Sequence, residues 1–131
     1  MISNSLLRIF SLEYNSFTNS ISPHVRYISP DNVLKGLYAI LNCELVTCTE
    51  IEVNGKLFDV YSDDEALLKA KPAPNLYIDD DLILFGSVAF AKSDEEGKLV
   101  GLNRDDVHLL WNFACLQFPK LLHFLKKQRR D

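Results

Sequence analysis

Hydrophobic and polar positions change their spacing several times along this chain, and each change marks an element. Residues 6–12 (LLRIFSL) alternate loosely and predict a first strand; residues 15–22, rich in Ser, Asn and Thr, read as a loop. Residues 24–28 (HVRYI) alternate again as a second strand. Ser29-Pro30-Asp31 then has the order of a helix start, with a capping hydroxyl, a proline at the first helical position and a carboxylate at the positive end of the dipole. Val33, Leu34, Leu37, Ile40 and Leu41 follow at helical spacing, so one face packs inward.

Residues 44–53 (ELVTCTEIEV) are rich in β-branched side chains and meet Asn54-Gly55, a strong hairpin signal, with 56–61 (KLFDVY) returning. Pro72 and Pro74 predict an irregular loop. Residues 82–91 (LILFGSVAFA) then read as one central strand, apolar on both faces, with a bulge or close contact at Gly86. Asp94-Glu95-Glu96-Gly97 is a turn, and 98–102 a short strand. Asn103 caps a helix with Asp105 and Asp106 in its first turn and an apolar face of Val107, Leu110, Trp111, Ala114, Cys115 and Phe118. Pro119 predicts a break, and 120–130 a last helix with Leu121, Leu122, Phe124 and Leu125 inward. The expected fold is α+β: a mainly antiparallel sheet of four to six strands, one helix after strand two, and two C-terminal helices. Residues 1–131 form a single domain in this reading, and 119–131 are its basic helical extension.

Composition adds a soluble setting to that outline. The 131 residues are 47% hydrophobic and 24% charged, the balance of a chain that buries a core. No apolar run approaches the roughly 18 residues of a membrane span, and the first residues lack a basic leader. The three cysteines, Cys43, Cys48 and Cys115, form no paired framework, and Cys115 fits a buried free thiol. A reducing cytoplasm is the expected compartment.

Charge changes the picture further. The net charge of −4 conceals 13 acidic against 4 basic side chains in residues 44–96. Residues 119–131 reverse that balance, with five basic side chains against Asp131. Such a split bears on partners, because surface fields of several kT steer oppositely charged molecules. A solvated acidic surface and an ordinary basic helix end explain the same residues more plainly.

The central third of the chain also resembles a known domain type. Asp63-Asp64-Glu65 forms an acidic turn, Leu68-Lys69-Ala70-Lys71-Pro72-Ala73-Pro74-Asn75 a loop, and Ile83 through Gly86 to Phe90 a strand. With the helix at 32–41 and the strand at 44–53, this order is similar to a family of short domains carried mainly by phages, plasmids and other bacterial mobile elements. That family is a domain of unknown function. The similarity covers residues 24–115 and departs from the family pattern at Asn42-Cys43, Ala66 and Ala70, where glycines are usual and a Cβ restricts positive φ. The resemblance implies the fold and a mobile-element origin, and no activity.

No catalytic constellation accompanies these parts. Asp79-Asp80-Asp81 with Asp63-Asp64-Glu65 offers oxygen ligands, yet the spacing fits no EF-hand loop, and consecutive carboxylates at a strand start better fit a solvated turn. His24, His108 and His123 lie far apart, and none stands at ligand spacing from a cysteine or another histidine. Cys115 and His108 sit two turns apart on one helix, where a core thiol and a surface histidine are the plainer account. Nucleophile elbows, P-loops and dinucleotide fingerprints are missing from the sequence. No enzyme, metal or cofactor is therefore expected.

Two binding readings remain. In the first, Asp63, Asp64, Glu65, Asp79, Asp80, Asp81, Asp94, Glu95 and Glu96 form an acidic face for a basic protein, such as a host defence nuclease of the CRISPR effector type, whose nucleic-acid channel the carboxylates imitate. In the second, Lys120, Lys126, Lys127, Arg129 and Arg130 neutralise phosphates of a nucleic acid. Self-association through the 118–125 face or an open sheet edge is a third expectation.

Overall fold

The first nine-residue strand, β1 (Leu7–Asn15), is followed by an equally long β2 (Ser20–Ile28), and the two pair antiparallel along their whole length, from Leu7 opposite Ile28 to Asn15 opposite Ser20. In this computed structural model the described residues are 6–128, apart from 16, 19, 66–73, 80 and 81. Both strands are longer than their alternation suggests, because the main-chain ladder carries the Ser- and Thr-rich stretch and Pro23 into the hairpin. Helix α1 (Val33–Leu41) follows, then β3 (Val46–Val53) and β4 (Lys56–Asp63), joined by the expected Asn54-Gly55 turn with both residues at positive φ.

Two strand expectations change. Residues 82–91 are not one strand: Gly86, at φ +75°, divides β6 (Leu82–Phe85) from β7 (Val88–Ser93). The loop expected around Pro72 and Pro74 gives way at β5 (Pro74–Asp79), which pairs with β6. A proline is tolerated as the first residue of a strand, where its missing N–H breaks no ladder. β8 (Leu99–Val100) is a two-residue strand beside β7.

The main sheet has six strands, all antiparallel, in the order β2-β1-β7-β4-β3, with β8 on β7; β5 and β6 form a separate pair. Because side chains alternate along each strand, the sheet has two distinct faces. One receives Phe10, Leu12, Ile51, Val53, Phe58, Val60, Val88 and Phe90. The other receives Ile9, Ile28, Ala89 and Ala91. α1 packs on the second through Leu37 and Leu41, and its Gly36 lies so close that a Cβ there would stand 2.6 Å from Ile28 Cγ2.

Helix α2 (Arg104–Gln128) covers the first face with Val107, Leu110, Phe113 and Ala114. It is one helix, not two. The apolar spacing of the sequence continues across Pro119 without a change of phase, and a proline removes only one main-chain bond from a helix of 25 residues. Its inward residues also differ from those expected. Cys115 is exposed and Trp111 half-exposed, since Leu110, Phe113 and Ala114 set the inward face and Cys115 falls outside it. α1 starts later than Ser29-Pro30 implies. Asn32 is the cap, its Oδ1 accepting from Lys35 N–H, while Ser29 Oγ accepts from Asp31 N–H in the turn before it.

Candidate binding face

Alternation on β3 and β4 decides where the charges of this hairpin go. Lys56, on the same side as Phe58 and Val60, points to the α2 face, and Lys92 of β7 does so beside Phe90. Both converge on Asp106 in the first turn of α2, with Lys92 Nζ 2.6 Å and Lys56 Nζ 3.1 Å from its carboxylate. Asp106 is fully buried and closes a reciprocal cap: its N–H donates to Asn103 Oδ1 at 2.8 Å, and Asn103 N–H donates to its Oδ2 at 3.0 Å. Burial alone would raise this carboxyl, but the donors from Lys92, Asn103 and Lys56 outweigh it and hold Asp106 below the usual carboxylate range. The arrangement fastens the helix start to the sheet and leaves no group free for chemistry.

The opposite side of the same hairpin carries the other sign. Tyr61 belongs to the α1 face, so Cys48, Glu50, Glu52, Leu57 and Asp59 share that face with it. Glu50 stands directly across from Asp59, Glu52 across from Leu57, and Cys48 across from Tyr61. α1 packs over Ile9, Ile28, Ala89 and Ala91 and leaves this corner open, with Glu50, Glu52 and Leu57 exposed. Asp59 accepts a hydrogen bond from Ser93 Oγ, and no cation among the described residues pairs with Glu50, Glu52 or Asp59. The field reaches neighbouring groups. Partial burial and then the Cys48 and Asp59 charges push Tyr61 up to about 12, and partial burial, Asp59 and Glu50 push the Cys48 thiol up as well. A thiol shifted that way is a poor nucleophile.

The acidic residues expected to act together are divided. Asp94, Glu95 and Glu96 form the β7–β8 turn, and since Asp59 lies opposite Ala91, this turn leaves the sheet at the end where β4 begins, beside the open corner. Asp63 ends β4 instead, with Asp64 and Glu65 in the turn after it, about 20 Å away along the strand. The main-chain N–H of Glu65 is held by Asp63 Oδ1. Asp79 is the last residue of β5, and Asp80 and Asp81 lie outside the described residues. Lys120, Lys126 and Lys127 fall within α2, and Arg129 and Arg130 lie outside the described residues.

A second polar corner lies diagonally across the α1 face on β1 and β2. Here the charges are matched: Arg26 Nε and Nη2 each stand 2.7 Å from the Glu13 carboxylate, which Ser11 Oγ also donates to. Glu13, Tyr14, Asn15, Phe17, Ser22, His24 and Arg26 line a wide-open recess, with Ser22 Oγ 2.9 Å from His24 Nε2. Burial opposes ionisation of Glu13, but the Arg26 and Ser11 hydrogen bonds prevail and lower it. Among the described residues no three His, Cys, Asp or Glu side chains are grouped to hold a metal ion, and no helix is long and apolar enough to cross a membrane.

No protein-family model matches this chain, and no curated protein or solved structure does either.

Proposed function

We propose that this protein is a non-enzymatic binding module that docks a basic partner on the open corner of its α1 face. Glu50, Glu52 and Asp59 form the centre and Asp94, Glu95 and Glu96 the rim. One observation carries the reading. Glu50 and Asp59 occupy directly opposed positions on paired strands, with no cation among the described residues paired to either. Like charges so placed weaken a sheet, so their presence is accounted for by a cation that arrives from outside. Leu57, exposed beside Glu52, gives that partner an apolar contact within the charged field. The resemblance of residues 24–115 to a domain of mobile elements favours, among basic partners, a defence nuclease with a cationic nucleic-acid channel.

The test is affinity capture from a bacterial lysate expressing candidate defence proteins, with the native chain and an E50K/E52K/D59K variant run side by side. The native chain should retain a basic protein that elutes with moderate salt, and the variant should lose it while melting within a few degrees of the native chain. Retention unchanged by the triple reversal would defeat the proposal. Retention of nucleic acid that instead disappears with Lys126, Lys127 and the residues after them would assign binding to the basic end of the chain.

A further inference from the structure

The outer strand of the sheet, far from the acidic corner, presents a different surface. Along β1 the even-numbered residues aim their main chain away from β2: Tyr14 N–H donates to Ser87 Oγ at 3.0 Å, and Arg8 O accepts from Leu102 N–H at 2.9 Å. Their partners on β2 are Ile21, Pro23, Val25 and Tyr27. In an antiparallel ladder such pairs exchange no main-chain bonds, so the four C=O groups of these residues and the N–H groups of Ile21, Val25 and Tyr27 face the open edge. The same four side chains project on the α2 face, beyond the reach of α2, with Ile21 37%, Val25 40% and Tyr27 54% exposed and Pro23 exposed with them. Trp111, 46% exposed, lies next to this stripe against Phe10. A nine-residue edge that combines free main-chain groups with an apolar row is a template for another strand.

We infer that the occupant is β2 of a second copy of this chain, paired antiparallel about a two-fold axis at His24. The residues themselves select this partner. About that axis Ile21 meets Tyr27 and Pro23 meets Val25 of the other copy, so every apolar side chain of the row faces another, and the patch is self-complementary as a two-fold interface requires. Charge agrees. β2 contains no carboxylate, and its one full cation, Arg26, is already neutralised by Glu13. Two chains of net charge −4 therefore meet at the side of the sheet where repulsion is least, with their acidic corners outermost. Pro23 sets the strength of the contact. It withholds one donor per copy, leaving six of the eight main-chain bonds this register offers, which points to a moderate, reversible dimer.

Sedimentation velocity of the full chain over a range of concentrations tests this. The native chain should show a monomer–dimer equilibrium. Pro23→Val, which restores the donors, should tighten it about tenfold, and Val25→Lys or Tyr27→Lys, both at exposed positions, should leave monomer at every concentration. His24→Cys supplies a second reading, because opposed non-hydrogen-bonded positions lie about 4.5 Å apart at Cα, within disulfide range. Mild oxidation should join this variant into covalent dimers far faster than the unsubstituted chain. A native chain and a Pro23→Val variant that both remain monomeric would overturn the inference. A dimer that survives Val25→Lys and Tyr27→Lys would overturn it equally, by placing the contact elsewhere.

Discussion

The two faces of this sheet are made by the same strands and have opposite characters. On β7, Val88 and Phe90 face α2 while Ala89 and Ala91 face α1. On β4, Phe58 and Val60 face α2 while Asp59 and Tyr61 face α1. The α2 face is filled by aromatic rings in contact, Phe10 with Phe90 and Phe90 with Phe113, under a 25-residue helix whose first turn is pinned by Asp106. The α1 face is shallow. Its alanines let a nine-residue helix lie close to the strands, and that helix covers only a diagonal band. One face therefore supplies most of the apolar burial, and the other can give up its corners to charge. The lesson is that alternation alone lets a thin sheet hold a core on one side and display a field on the other.

Three substitutions test this division, from the largest expected effect to the smallest. Phe90→Ala removes a fully buried ring from the centre of the α2 face and should cost about 4 kcal/mol in denaturant unfolding. A loss below about 1 kcal/mol would mean that the α2 face is not the main source of stability. Asp106→Asn, which leaves Lys56 and Lys92 without their shared carboxylate, should cost about 3 kcal/mol. Its pH dependence has a definite sign. The folded-state value of Asp106 is depressed, so its stabilisation is complete above the unfolded carboxylate value of about 3.9 and is lost as pH falls through the lower folded value. Thermal melts of the native chain should approach those of Asp106→Asn as pH falls below the unfolded carboxylate value and through the lower folded one, and curves that stay parallel would show that Asp106 contributes nothing as an anion.

Glu50→Gln is the smallest change and the one that separates the faces most sharply. It relieves the opposition to Asp59 and should raise stability by about 0.3 kcal/mol while weakening capture of the basic partner. A substitution that stabilises the chain and harms binding is what a face kept for a partner predicts. Loss of stability instead would show that Glu50 serves the fold.

Much of the fold was legible because it follows from short-range signals. The Asn54-Gly55 hairpin, the α1 apolar spacing and the Asn103 cap with Asp105 and Asp106 behind it are all local, and each appears in place, except that Leu34 of the expected α1 face is exposed. The misreadings have a common cause. As local signals Pro119 and Pro74 read as breakers, while in the fold α2 runs through the first and β5 begins at the second and pairs with β6. The spacing of Cys115 places it in the core, but the phase of a helix on a sheet is fixed by which residues meet Phe10 and Phe90, and that is a tertiary fact.

The sequence by itself determined the class of fold, the hairpins and the excess of carboxylate in the middle of the chain, because composition and period survive without neighbours. Only the tertiary structure decided which carboxylates act together. It parted Asp63-Asp64-Glu65 from Asp94-Glu95-Glu96 at opposite ends of antiparallel strands and drew Asp106 into the interior between two lysines. It also set Glu50 against Asp59, nine residues distant in sequence and unremarkable there. Register across a hairpin creates that opposition, and register depends on the pairing of strands rather than on the order of residues in either one.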